Sequence, residues 1–224
     1  MSDFTFLTQE QCFGRDKLDI LKKRGTKAAI TDFSVLLGGW VWEHAENDSS
    51  LEGRTGCYWT KSDDGDTNAR VVEDDGSSCR HNVQKRYIGA RPALPFSSIG
   101  SIPTNGESGK RARDGILEVE YGYYPQKAVS KDMQERLERA YRSESISKTR
   151  NIYTTDSVDH NKDDTSFQPQ THQEYEYNGK RYVRVKANSY YDGYDFTLSN
   201  DEQYRDGDNV WVEVQPVKWL VDEK

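Results

Sequence analysis

Three cysteines and four histidines are the residues of this 224-residue chain best suited to nucleophilic, redox or metal chemistry. Two thiols a few residues apart, or two histidines four apart on a helix, would bring ligands or a nucleophile and its base within reach of each other. Cys12, Cys57 and Cys79 show no such spacing, and an odd set without a CxxC pair points away from a zinc ribbon and from a disulfide framework. His44, His81, His160 and His172 each stand alone, with no i, i+4 partner. Cys57 and Cys79 fall on separate expected strands, where cross-strand proximity stays open but a buried structural role is the preferred reading. No catalytic residue, metal or cofactor is assigned on these grounds. The chain also carries no Walker A loop, dinucleotide fingerprint or nucleophile elbow.

Charged residues offer a second kind of chemistry. Asp63-Asp64-Gly65-Asp66 gathers three carboxylates in one turn, without the twelve-residue ligand spacing of an EF-hand, and reads as a solvated turn. An arginine on an inner strand pairs with an acid or stacks on an aromatic ring, and for Arg70 and Arg91 the candidates are Asp66, Asp74 and Trp59. The functional alternative places Trp59, Asp63, Asp64, Asp66, Arg70, Arg80 and His81 on one ligand-facing surface. These are the candidate binding residues.

The elements that would carry them follow from composition. Hydrophobic residues make up only 33%, charged residues 31%, and there are 14 Tyr and 5 Trp, so burial must rely on aromatic rings. With 17 Gly, this favours short strands and turns over a leucine-rich bundle. A net charge of −7 disfavours direct binding to nucleic-acid phosphates and suits a protein partner with a basic surface. Met1-Ser2-Asp3-Phe4 has no basic segment followed by an apolar run, and no stretch reaches membrane-spanning length. No membrane association is expected, and the cytoplasm is the expected compartment.

Along the chain, Thr8-Gln9-Glu10-Gln11 caps a short helical turn, and Asp16–Arg24 forms an amphipathic helix ending at Gly25. Thr31–Leu37 forms another. Strands are expected at Cys57–Lys61, Ala69–Glu73, Cys79–Val83 and Tyr87–Leu94, an antiparallel meander with a type I′ turn at Asp75-Gly76. Residues 97–115 read as a Gly/Ser/Pro linker between a core of residues 1–96 and a second segment of residues 116–224. That segment holds a strand at Gly115–Gly122 and a helix from Ser130 to Tyr141. It continues with a polar loop over 143–172, an Asn178-Gly179 hairpin, strands at Tyr194–Leu198 and Asn209–Val214, and an apolar run from Pro216 to Val221.

Tyr58-Trp59-Thr60-Lys61-Ser62, Ala69-Arg70-Val71-Val72, Asp75-Gly76-Ser77 and Gly89-Ala90-Arg91-Pro92-Ala93-Leu94 stand in an order and spacing that resemble a branch of the C-type-lectin-like fold. That branch is shared by the formylglycine-generating-enzyme-like proteins and a bacterial domain group, the DUF6273 type. Tyr121-Gly122-Tyr123-Tyr124-Pro125-Gln126 and Val214-Gln215-Pro216-Val217-Lys218-Trp219-Leu220-Val221 resemble the same group. The resemblance implies an α+β fold: a C-type-lectin-like antiparallel sheet with short flanking helices, plus a smaller second α+β segment. Its oxidase branch would need a close pair of reactive cysteines, and its iron-dependent relatives a histidine cluster. Calcium-dependent sugar binding would need a Glu/Gln-Pro-Asn/Asp loop that Gln168-Pro169-Gln170 and Gln215-Pro216-Val217 do not supply.

The expected function is therefore a non-catalytic binding module of bacterial or phage origin, with loops around 43–56 and 61–82 meeting a protein or a small ligand. An acidic phage inhibitor that blocks a basic surface on a host defence or nucleic-acid enzyme fits the charge. In that case the compartment is the host cytoplasm. The alternative is an oxidase or sulfoxide-synthase relative of the formylglycine-generating kind.

Overall fold

A computed structural model describes residues 5–41, 54–65, 67–85, 87–93, 109–156, 169–188 and 195–222. The first elements are β1 (Thr5–Phe6), α1 (Gln9–Phe13), α2 (Asp19–Arg24), β2 (Ala28–Ala29), α3 (Asp32–Leu36) and β3 (Thr55–Gly56). Next come β4 (Tyr58–Asp63), β5 (Asn68–Val72), β6 (Ser78–Asn82), β7 (Gly89–Ala90), β8 (Pro92–Ala93), β9 (Lys110–Arg111) and β10 (Leu117–Ala128). The chain continues with α4 (Lys131–Arg142), β11 (Ser147–Asp156), β12 (Pro169–Tyr177), β13 (Lys180–Lys186), β14 (Phe196–Thr197), β15 (Gln203–Tyr204) and β16 (Asn209–Val221). The architecture is mixed α+β and rich in strands, with several small sheets and few helices. Among the described residues no helix is long and apolar enough to cross a membrane.

By packing, the chain divides into one unit of residues 1–29, 41–123 and 216–224 and another of residues 30–40 and 124–215. This differs from a single break at 97–115. Helix α3 belongs to the second unit although it lies early in the chain, and β10 and β16 each contribute residues to both. Pairing between distant segments creates that division, and local composition does not report it. Much of the expected linker and of the loop at 43–56 lies outside the described residues, as do His44 and His160.

In the first unit, α1 carries a capping box: Gln11 N–H donates to Thr8 Oγ1 at 3.1 Å, and Thr8 N–H donates to Gln11 Oε1 at 2.8 Å. Helix α2 stops at Gly25, whose φ of +77° suits glycine. β4, β5 and β6 form the expected antiparallel run, in registers Tyr58↔Val72 and Val71↔Cys79. Two expectations are corrected. Asp75 does not have positive φ, so its turn is not type I′. Gly76 N–H donates to the Glu73 carbonyl at 2.9 Å and Gly76 has φ +83°, the pattern of a type I turn followed by a left-handed residue. Nor do the described residues 87–93 of the expected Tyr87–Leu94 strand form a fourth antiparallel strand. β7 joins β4 in parallel and β8 pairs with β1, because Pro92 has no N–H to continue the first ladder. The core gathers Cys12, Leu21, Tyr58 and Val72.

In the second unit the strands run in the order β11-β12-β13-β16-β10. The β12–β13 turn is the expected hairpin, with φ +53° at Asn178 and +74° at Gly179. One sheet face, with Tyr175, Tyr182 and Trp211, is covered by Leu137 of α4 and by Val129. Edge-on aromatic pairs tie this face together, with Tyr175 and Trp211 centroids 5.5 Å apart. On α3, Phe33 is fully buried and meets the His172 ring edge-on at 5.5 Å. Asp32 accepts hydrogen bonds from Ala128 N–H (2.7 Å), Ser199 N–H (2.9 Å) and the Ser199 hydroxyl (2.5 Å). The polar loop expected over 143–172 is instead occupied in part by β11 and the start of β12, paired with a bulge between Lys148 and Ile152.

Candidate functional site

Strand register assembles one cluster of reactive side chains in the first unit. Continuing Tyr58↔Val72 by one residue sets Cys57 opposite Glu73, and the Glu73–Ser77 turn returns the chain so that Cys79 faces Val71. Because successive strand residues point to opposite faces, Cys79 and His81 share a face of β6. Glu73 is the centre: Cys57 Sγ–H donates to Oε2 at 2.9 Å, and His81 Nε2 lies 2.7 Å from Oε1. The ligand atoms of Glu73, Cys79 and His81 all lie within 4.8 Å of one another, as do those of Cys57, Glu73 and Asp74. Cys57 is buried and Cys79 exposed.

The order of groups limits the chemistry. A thiol nucleophile needs its base on the sulfur, with a third group orienting the base. Here the carboxylate stands between thiol and imidazole. Burial first, and then the hydrogen bond to Glu73, pushes the Cys57 thiol far above its ordinary range, so it stays protonated at neutral pH. Burial also raises the neighbouring Asp74 carboxyl. The set is a hydrogen-bonded link across three strands and a potential ligand set.

On the opposite pleat of the same strands lies a charged face. Arg70 and Arg80 are cross-strand partners, and Asp64 Oδ2 lies 3.1 Å from Arg70 Nε and 3.5 Å from Arg80 Nε. The candidate binding residues are thus divided by the alternation of β5 and β6. Asp64, Arg70 and Arg80 come together, while His81 turns to the other side with Glu73. Trp59 pairs with Val71 in register and with Ala90 in parallel, half-buried between them. The Asp63 side chain and Asp66 lie outside the described residues. Arg70 meets an acid as expected, and among the described residues that acid is Asp64 rather than Asp74. Arg91 stacks on Tyr58 rather than on Trp59.

The second unit holds a buried carboxylate. Glu174 is fully buried and accepts from the Tyr153 hydroxyl (2.7 Å), Asn151 Nδ2 (2.9 Å) and the Thr149 hydroxyl (3.0 Å), with Arg181 Nη1 at 3.8 Å. Each of these partners is a side chain of the same sheet, which suits a structural network. Beside α4, a cleft of about 400 Å³ is lined by residues including Glu138, Arg142 and Trp211.

Glu73 and Glu174 had no signal in the sequence, since neither lies in a motif and each matters only through strands it meets in the fold. Neither a protein-family model, nor a curated protein, nor a solved structure matches this chain.

Proposed function

We propose that the chain is a non-catalytic binding module that holds a protein partner on the charged face of β4, β5 and β6. The observation that carries this reading is the sharing of one carboxylate, Asp64, by two arginines on adjacent strands. Two guanidinium groups are thereby aligned on a sheet face, with side chains 40% and 57% exposed. Guanidinium groups held in a fixed fork recognise carboxylates with directional, paired hydrogen bonds. The net charge of −7 attracts a basic partner over long range. At contact the arginine pair takes a carboxylate of that partner, and the Asp63–Asp66 turn, adjacent in sequence, offers acceptors to its basic groups. A phage-encoded inhibitor of a host defence or nucleic-acid enzyme, in the host cytoplasm, is the biological setting that fits this charge.

The test is affinity capture from a bacterial lysate with wild-type protein, an R70E/R80E double variant, and Lys180→Glu on β13 as a distant control. A partner retained by wild type and the control but lost by R70E/R80E, at equal thermal stability, is the expected result. Equal capture by all three overturns the assignment of this face. Oxygen consumption with thiol substrates by the purified protein would instead establish the oxidase alternative.

A further inference from the structure

We propose that Cys57, Glu73, Cys79 and His81 form a binding site for Zn²⁺, a structural metal centre linking β4, β5 and β6. Sequence spacing pointed to no metal, because the four residues belong to no short motif. The fold supplies what spacing lacks. Each donor atom comes from a position that strand pairing fixes: Cys57 just before β4, Glu73 just after β5, and Cys79 and His81 two apart on β6.

The donor set selects the ion. Two thiols, one imidazole and one carboxylate are the ligands Zn²⁺ takes in four-coordinate sites, whereas Ca²⁺ and Mg²⁺ require oxygen throughout. Ligands at about 2.0–2.3 Å from a tetrahedral zinc stand roughly 3.5 Å from one another. The Cys57 sulfur and the His81 nitrogen already sit 2.9 Å and 2.7 Å from the two oxygens of Glu73, and Cys79 Sγ lies within 4.8 Å of the Glu73 and His81 donors. Cys57 groups with Glu73 and Asp74, while Cys79 and His81 group with Glu73 from the other side. Closing on one ion therefore requires the shared carboxylate to turn out from between them and the Cys57 thiol to swing toward Cys79 and His81. Both thiol protons leave to solvent on binding, that of Cys57 from Glu73 and that of Cys79 from the Arg80 carbonyl, and His81 binds as the neutral ring. Asp74, within the same radius of Cys57 and Glu73, is placed to accept a hydrogen bond from a ligand or to substitute for Glu73.

A hydrogen-bonded link without metal is the competing role, and the two differ in what a probe ion does. Co²⁺, which takes zinc's place and reports thiolate ligation by a sulfur-to-cobalt charge-transfer absorption, is titrated into the full-length protein after treatment with chelator and reductant. One Co²⁺ per chain with that absorption, displaced by Zn²⁺, is expected. Cys79→Ser should lose about half of the absorption, since it leaves one thiolate. His81→Gln should weaken binding by about tenfold or more, as even outer-shell changes do at such sites. Cys12→Ser should match wild type. Cys79 is exposed and His81 half-buried, so these variants keep the fold, and equal melting of the metal-free forms verifies it. Absence of the charge-transfer band overturns the proposal, as does a band of wild-type intensity in Cys79→Ser or unchanged affinity in His81→Gln.

Discussion

Arg91 lies over the ring of Tyr58, its guanidinium carbon 5.3 Å from the ring centroid, while its Nη1 donates to the Tyr58 hydroxyl at 3.2 Å. The same nitrogen donates to the Thr26 carbonyl at 3.1 Å, which also accepts from the Tyr58 hydroxyl at 2.7 Å. Residues 26, 58 and 91 are thus fastened at one point. Burial pushes the Tyr58 phenol up to about 12, against a smaller opposing pull from Arg91, so the hydroxyl keeps its proton as a donor throughout the neutral range. Arg91→Lys retains the charge and loses the planar fork that stacks and donates at once. It should cost about 1–2 kcal/mol of stability, read as a lower urea midpoint at unchanged slope. A midpoint equal to wild type would refute the role.

Glu138 on α4 is the hub of a second network. Both of its oxygens take a hydrogen bond of 3.0 Å from Arg184, and it also accepts from Trp211 Nε1 (3.2 Å) and Arg142 Nε (3.1 Å). The Arg184 bonds, more than any other contact, hold its carboxyl below the usual glutamate range. A depressed folded-state value means that the unfolded chain takes the proton first. The stabilisation is therefore present above the ordinary glutamate pKa of about 4.3 and lost as pH falls through the lower folded value. Glu138→Gln should flatten that acid limb and cost about 1–3 kcal/mol at pH 7, measured by urea denaturation at pH 7 and pH 3.5.

His172 acts in a higher window. Its ring is buried against Phe33, its Nε2 lies 2.9 Å from the Thr155 hydroxyl, and burial lowers its pKa below the usual histidine value. The neutral ring is the folded form, so stability is complete above the unfolded value of about 6.5 and declines as pH drops through the folded one. Hydrogen exchange of the β11 and β12 amides should accelerate, relative to intrinsic rates, between pH 7.5 and pH 5 in wild type. In His172→Gln that pH dependence should vanish.

Glu174 is the costliest residue to truncate. Glu174→Ala removes the acceptor shared by Thr149, Asn151 and Tyr153 at a fully buried position and leaves Arg181 without this carboxylate. A loss of about 3–5 kcal/mol is expected, seen as a collapse of the thermal transition. Glu174→Gln keeps an acceptor oxygen and should lose less. A Glu174→Ala protein that melts like wild type would remove the network from the account of this sheet.

Local signals were legible where local physics decides the outcome. Thr8 with Gln11, Gly25 and Asn178-Gly179 each fix a cap or turn through their own backbone needs, and the structure places each where the sequence does. β11 was illegible for a physical reason. Thr149, Asn151 and Tyr153 all bond Glu174, and with polar residues at these positions the strand lacks the apolar alternation by which strands are recognised. Asp75-Gly76 announced a hairpin correctly, but its turn type depended on which residue before the glycine closes the hydrogen bond. The Cys57–Glu73–His81 group was hidden more deeply, since it exists only once β4, β5 and β6 are in register.

The bulge in β11 bears on self-association. A flat outer strand offers a row of unpaired amides on which a second chain can add by backbone pairing. Between Lys148 and Ile152 the register breaks, and Gln173 Nε2 donates across to the carbonyls of Thr149 (2.9 Å) and Asn151 (3.1 Å). Both carbonyls are thereby engaged from within the sheet, and the break in register interrupts the flat ladder that a docking strand would extend. The exposed Ile152 beside them, an otherwise sticky residue, is guarded against recruiting neighbours into a growing sheet.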